Sequence, residues 1–119
     1  MSNRRKERGN EAENLARLYL EQHGLVCLER NVRTRWGEID LVMCDGNAIA
    51  FVEVRFRQNH KFGHPAETVD GQKQGKIRRA AKCLLGQGKY DNRPLRFDVV
   101  AISRVNGELV IEWNKNAFE

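Results

Sequence analysis

The sequence predicts a single α/β domain of 119 residues, and three observations predict it. Two stretches place apolar residues at helical spacing, while the segments around them alternate apolar and polar residues at strand spacing. Asp45-Gly46-Asn47 and Asn106-Gly107 each supply a tight hairpin turn between neighbouring strands. The predicted order is α-β-β-β-α-β-β, which gives an α/β sandwich around a mixed sheet.

The first helix is expected from about Glu11 to His23, with Asn10 as N-cap and Ala12, Leu15, Ala16, Tyr19 and Leu20 as its apolar stripe. Residues 1–9 form a basic N-terminal segment that this reading leaves flexible. Gly24 stops the helix, and Leu25 to Arg33 is the first strand, with Val26, Leu28 and Val32 alternating along it. Trp36 to Cys44 and Ile49 to Arg57 then form a hairpin. Residues 58–70 read as a polar, mobile loop. A second helix is expected from about Gly71 to Leu85, with Ile77, Ala80, Ala81, Leu84 and Leu85 facing inward. Strands from Leu95 to Ser103 and from Glu108 to Trp113 close the chain.

The hairpin carries carboxylates inside apolar strand sequence, where a charge is costly unless something compensates it. If the turn is Asp45-Gly46, Asp40 lies opposite Phe51; if it is Gly46-Asn47, Asp40 lies opposite Glu53. Either register puts Glu38, Asp40, Glu53 and Arg55 on one face, together with Val42 and Phe51, while Ile39, Leu41, Val52 and Val54 take the other. Carboxylates this close raise one another's pKa. Two arrangements relieve that. One is a divalent cation, with all-oxygen ligands suited to Mg²⁺ or Mn²⁺. The other is a salt-bridge cluster with Arg33, Arg35, Arg55 and Arg57, and the spacing alone leaves both open.

Glu13 lies in the first turn of the first helix, where the helix dipole by itself favours an acid. The second helix carries Lys73, Lys76, Arg78, Arg79 and Lys82 with no acid among them, plus Gln72 and Gln74 near its start. A solvated face is the ordinary reading of such a run, and a phosphate-backbone contact is the sharper one. The formal charge of +5 and a pI near 9.4 favour a polyanionic partner.

Other chemistries are weakly supported. His60 and His64 could ligate a metal, but a zinc site needs further good ligands that their loop does not offer. Cys27, Cys44 and Cys83 are odd in number, widely spaced and set among apolar residues, so they read as buried thiols of a reducing compartment, with the cytoplasm expected. No apolar stretch has membrane-spanning length, and the basic segment Met1 to Arg8 has no hydrophobic continuation, so neither a membrane anchor nor a secretory signal is expected. No glycine-rich phosphate loop or serine-nucleophile turn is present.

With these elements placed, the chain resembles the YraN-like family of bacterial proteins. The resemblance rests on Glu13, on Gly37-Glu38-Ile39-Asp40 and on Phe51-Val52-Glu53-Val54-Arg55. It continues through Phe62-Gly63-His64-Pro65-Ala66-Glu67, the Lys73-Gln74 pair, Arg96-Phe97-Asp98-Val99-Val100 and Lys115-Asn116-Ala117-Phe118. That family is similar to archaeal Holliday-junction resolvases. The resemblance therefore implies a restriction-endonuclease-like α-β-β-β-α-β core with a PD-(D/E)xK-type nuclease centre.

On that basis Asp40 and Glu53 take the motif's two acids, Arg55 takes the place usually held by Lys, and Glu13 is the helix acid near the metal. Gln74 would hold water or phosphate, Glu38 would support the site, and Lys73, Lys76, Arg78 and Arg79 would bind nucleic acid. The implied activity is Mg²⁺- or Mn²⁺-dependent cleavage of structured nucleic acid, with DNA favoured over RNA and branched DNA and a homodimer as expectations. The alternative is a nucleic-acid-binding module that keeps the fold without the chemistry. A protein-interaction adaptor accounts poorly for the basic helix. Three departures stand out: Ile39 replaces the motif's Pro, Ala12 replaces a common glycine, and Arg55 is a guanidinium that stays protonated where a Lys could exchange a proton.

Overall fold

Helix α1 (Arg4–Gln22) begins six residues before the Asn10 cap that the sequence predicts. Asn10 sits inside the helix because Arg, Lys and Glu ahead of it are good helix formers, and extending an existing helix through them costs little. This computed structural model describes residues 4–57 and 68–119, with α1 side chains described from Asn10 onward. Gly24, at φ 90°, ends α1, and the Leu25 N–H folds back to the Leu20 carbonyl at 3.1 Å.

Strands β1 (Val26–Thr34), β2 (Gly37–Asp45), β3 (Ala48–Arg57), β4 (Leu95–Val105) and β5 (Glu108–Phe118) form one sheet in the order β1-β2-β3-β4-β5. Helix α2 (Gly71–Gly86) lies in the connection between β3 and β4. That pair is parallel and needs such a crossover, whereas the other neighbours are antiparallel. The result is the expected α/β fold, a mixed five-stranded sheet with two helices, consistent with a restriction-endonuclease-like core.

The two helices cover opposite faces. Ala12, Ala16 and Leu20 of α1 pack on Leu41, Met43, Ala50, Val52, Val100 and Ile102. Ala80, Ala81 and Leu84 of α2 pack on Ile39, Val42, Ile49 and Phe51. A smaller group joins Val69 and Ile77 to Val99. With both faces covered, β2 and β3 are nearly continuous apolar runs.

Two predicted segments need correction. Residues 58–67 of the expected loop, with His60, His64 and the motif from Phe62 to Glu67, lie outside the described residues. Its last three residues are built into the fold. Val69 is 2% exposed, and Asp70 caps α2 by accepting the Lys73 N–H at 2.9 Å. Strand β5 runs five residues past Trp113 because Asp98 holds its end. The β4–β5 register shifts between Phe97 and Val99. There the Asp98 carboxylate accepts Arg96 Nε at 3.0 Å, Trp113 Nε1 at 3.0 Å and the Asn116 N–H at 2.9 Å. Phe118 stacks on Phe97 with ring centroids 5.0 Å apart.

Candidate active site

The hairpin turns at Gly46-Asn47, since Asp45 faces Ala48, and Gly46 supplies the positive φ of 60°. The β2–β3 ladder runs to Leu41 opposite Val52 and stops there. Asp40 is the next residue. Its carboxylate accepts the Val54 N–H at 2.8 Å, so a side chain takes the place of a strand partner.

The single-face expectation fails at this point. Leu41 and Met43 face α1, but Ile39 packs with Val42 toward α2. Asp40, adjacent to Leu41, also reaches α1, where it meets Glu13. Across the sheet, Asn31 interrupts β1 with φ 50°, between Arg30, which bonds Asn14 of α1, and Val32, which packs on the α2 side. The period of two is thus broken at neighbouring positions of two strands, and an Asn is well suited to the left-handed conformation this requires. The break turns Glu38 and Asp40 toward Glu13, while Glu53 keeps company with Lys73 of α2.

Oxygens of Glu13, Glu38 and Asp40 all lie within 4.8 Å of one another. Asp40 also shares side-chain hydrogen bonds with Glu13 and Glu53. Glu13 is 9% and Glu53 5% exposed, and Glu13 Oε2 is buried with no hydrogen-bond partner. Burial, then the Asp40 charge, pushes Glu13 up to about 7 from an ordinary 4.5. The same two causes push Glu53 up to about 8, with Lys73 and Arg55 working against them. Asp40 is also raised, by burial first, against the Val54 N–H and Lys73. Burial and mutual repulsion therefore favour protonated carboxyls in this cluster.

Lys73 Nζ stands 3.6 Å from Glu53 Oε1, and Arg55 Nη1 stands 3.9 Å from the same oxygen. Of the other arginines weighed as neutralising partners, Arg57 pairs with Glu112 at 3.2 Å and Arg35 lies over the Trp36 ring. The second-helix residues divide. Lys73 turns into the acidic site. Gln74 donates to the Val69 carbonyl at 3.0 Å and accepts from Arg78 at 3.2 Å, which gives its amide a structural use. Arg78 bonds the Glu119 carbonyl and lies over Phe118, so it clamps the end of β5. Lys76 and Arg79 remain exposed.

Sequence reasoning missed Asn31, whose side chain hydrogen-bonds Glu13 and holds that carboxyl down slightly. Its signal was available: an Asn inside a predicted strand, where it is disfavoured, marks a backbone irregularity. Cys27, Cys44 and Cys83 are free thiols, half-buried instead of fully buried. Among the described residues no helix is long and apolar enough to cross a membrane.

The fold, a mixed five-stranded sheet with a helix on each face, is an α/β fold consistent with a restriction-endonuclease-like core. Residues 12–102 match the uncharacterised protein family UPF0102, and the chain belongs to that family, which is the YraN-like family of the sequence resemblance. It is 46% identical to a UPF0102 protein of Nitrosomonas eutropha, over 96% of this chain and 95% of that one. It is also 46% identical to one of Stutzerimonas stutzeri, over 93% of each chain. A Vibrio cholerae relative is 42% identical over 94% of this chain and 92% of its own.

Proposed function

We propose that this protein is a metal-dependent endonuclease that hydrolyses phosphodiester bonds in structured nucleic acid, DNA in preference to RNA. The observation that carries the reading is the buried, unpartnered Glu13 Oε2 beside the converging oxygens of Asp40 and Glu38. A purely structural cluster would give that oxygen a donor, because leaving it without one is costly. Hard oxygen ligands fit Mg²⁺ or Mn²⁺. Asp40 and Glu13 would hold the ion with Glu38, which the sequence reading had only as support, and Glu53 would complete the acidic wall. Such an ion would supply Lewis-acid stabilisation of phosphoryl charge and a more acidic water.

The remaining work falls to side chains of this chain. Lys73 reaches Glu53 from α2, and it supplies the ammonium that the strand position, occupied by Arg55, does not. It would orient the attacking water, while Arg55 stays charged and holds the scissile phosphate. Gln74 is better understood as a brace for the start of α2 than as a phosphate ligand. Lys76 and Arg79 would meet the backbone farther along.

A second reading, a nucleic-acid-binding module without chemistry, is favoured by Arg55 and by the engagement of Gln74. Single-turnover cleavage in Mn²⁺ and in Mg²⁺ over branched, single-stranded and duplex substrates separates the two. The nuclease reading expects cleavage that Asp40→Ala abolishes. Lys73→Ala and Arg55→Ala should each slow it roughly 10²–10³-fold, the usual effect of losing one preorganised charge, and Arg55→Lys should retain it. Binding to the whole panel with cleavage of none would establish the second reading.

A further inference from the structure

We propose that Trp36, flanked by Arg35 and Arg79, is a stacking platform for an unpaired nucleobase beside the acidic cluster. The inference rests on the nucleic-acid reading above and narrows its substrate to strands with unstacked bases next to the bond that is cut. Trp36 is 44% exposed at the β1–β2 turn, although an indole is costly to leave in water. The turn holds it firmly: Thr34 Oγ1 accepts the N–H groups of Trp36 at 3.1 Å and of Gly37 at 3.2 Å. Gly37, at φ 154°, seats the turn against α2, where a Cβ would lie 3.5 Å from Lys76 Cβ.

The Arg35 guanidinium lies 4.8 Å from the Trp36 ring centre, and that of Arg79 lies 5.8 Å from it. Aromatic faces interleaved with cations are the means by which single-stranded nucleic acid is held, bases on the rings and phosphates on the cations. A base can layer on the indole or on a guanidinium plane above it. The position is as informative as the chemistry. The turn seats on Lys76 of α2, and Lys73, one helical turn earlier, pairs with Glu53, so a strand with a base on the platform can follow α2 toward the carboxyl cluster. Duplex DNA, with its bases stacked inside, offers the indole no such face.

Equilibrium binding by fluorescence anisotropy in EDTA tests this without cleavage, using a labelled single strand, the same strand with abasic sites, and its duplex. Trp36→Ala should weaken single-strand binding roughly tenfold or more, and Trp36→Phe should restore most of it. Duplex binding should change less than about twofold, since phosphate contacts dominate there. The parent should bind the abasic strand as weakly as Trp36→Ala binds the intact one. An unchanged single-strand affinity, an equal loss on duplex, or a Trp36→Ala effect that persists on the abasic strand overturns the platform. The abasic comparison on the parent stands even where the Ala variant folds poorly. Selective single-strand binding without cleavage in metal would sink the nuclease and leave the platform. Cleavage with no Trp36 effect would do the reverse, and a parent that binds no strand at all refutes both.

Discussion

Two aspartates, the buried Asp98 and the half-buried Asp40, sit in the same sheet and are treated in opposite ways. Asp98 is fully buried and collects a guanidinium, an indole N–H and a backbone N–H, while its partner Arg96 also pairs with Asp45 at 2.9 Å. Asp40 receives one backbone N–H and is otherwise surrounded by Glu13, Glu38 and Glu53, with Lys73 beyond. Donors neutralise the first site, so it needs nothing from outside. The second accumulates like charge and is relieved by protons or by a cation. The difference separates a carboxylate whose charge the fold neutralises from one whose charge it leaves to be relieved.

The largest effect should follow from removing the satisfied aspartate. Asp98→Ala leaves Arg96 with Asp45 alone, strands the Trp113 and Asn116 N–H groups and frees the end of β5. It should destabilise by about 3–5 kcal/mol, with no dependence on divalent cations, as denaturant unfolding can measure. Near-parental stability for this variant would dissolve the contrast.

Next in size is the pH dependence of the metal-free protein. Glu13 and Glu53 bind their protons more tightly folded, at about 7 and about 8, than unfolded, near 4.5. The folded state therefore carries the extra protons between those values, and stability is lost as pH rises from about 4.5 to about 8. The loss should be on the order of a few kcal/mol and should shrink in saturating Mg²⁺. Urea midpoints across that range check it; a flat profile, or one rising with pH, would contradict the carboxyl cluster as described.

Asp40→Asn should have a smaller effect of opposite sign. An amide oxygen can still accept the Val54 N–H, and a central charge is gone. The metal-free variant should be as stable as the parent or about 1 kcal/mol more so at pH 8, and calorimetric melting without Mg²⁺ measures this. A clear destabilisation would place Asp40 in the same class as Asp98. Smallest is Gln74→Ala, which should cost about 1 kcal/mol for its lost hydrogen bonds and slow cleavage only slightly. A loss of activity as deep as that of Asp40→Ala would restore Gln74 to the reacting centre.

Only the Asp40 side of this contrast was legible in the sequence. Turn residues and alternation located the hairpin and narrowed it to two registers, of which the structure takes the Gly46-Asn47 one. Strict alternation then failed where it mattered. A left-handed Asn31 and the side-chain-to-backbone bond of Asp40 are tertiary solutions that a period of two cannot express, so the turn of Glu38 and Asp40 toward Glu13 was hidden. The extent of β5 was hidden for a related reason, because Asp98 fixes it from another strand. Lys73 and Arg78, alike as members of a basic helix, go to different tasks because a helix rotates them toward different neighbours.

The central claim is that the cluster around Asp40 exchanges protons for a divalent cation, and calorimetric titration with Mn²⁺ near pH 7.5 tests it most directly. Repeating the titration in buffers of different ionisation enthalpy counts the protons released. Saturable binding with proton release is expected, since Glu13 must deprotonate to hold the ion and the ion's charge favours deprotonation of Glu53 beside it, and Asp40→Asn should abolish both. No saturable heat in the parent, or equal binding by Asp40→Asn, would contradict the account.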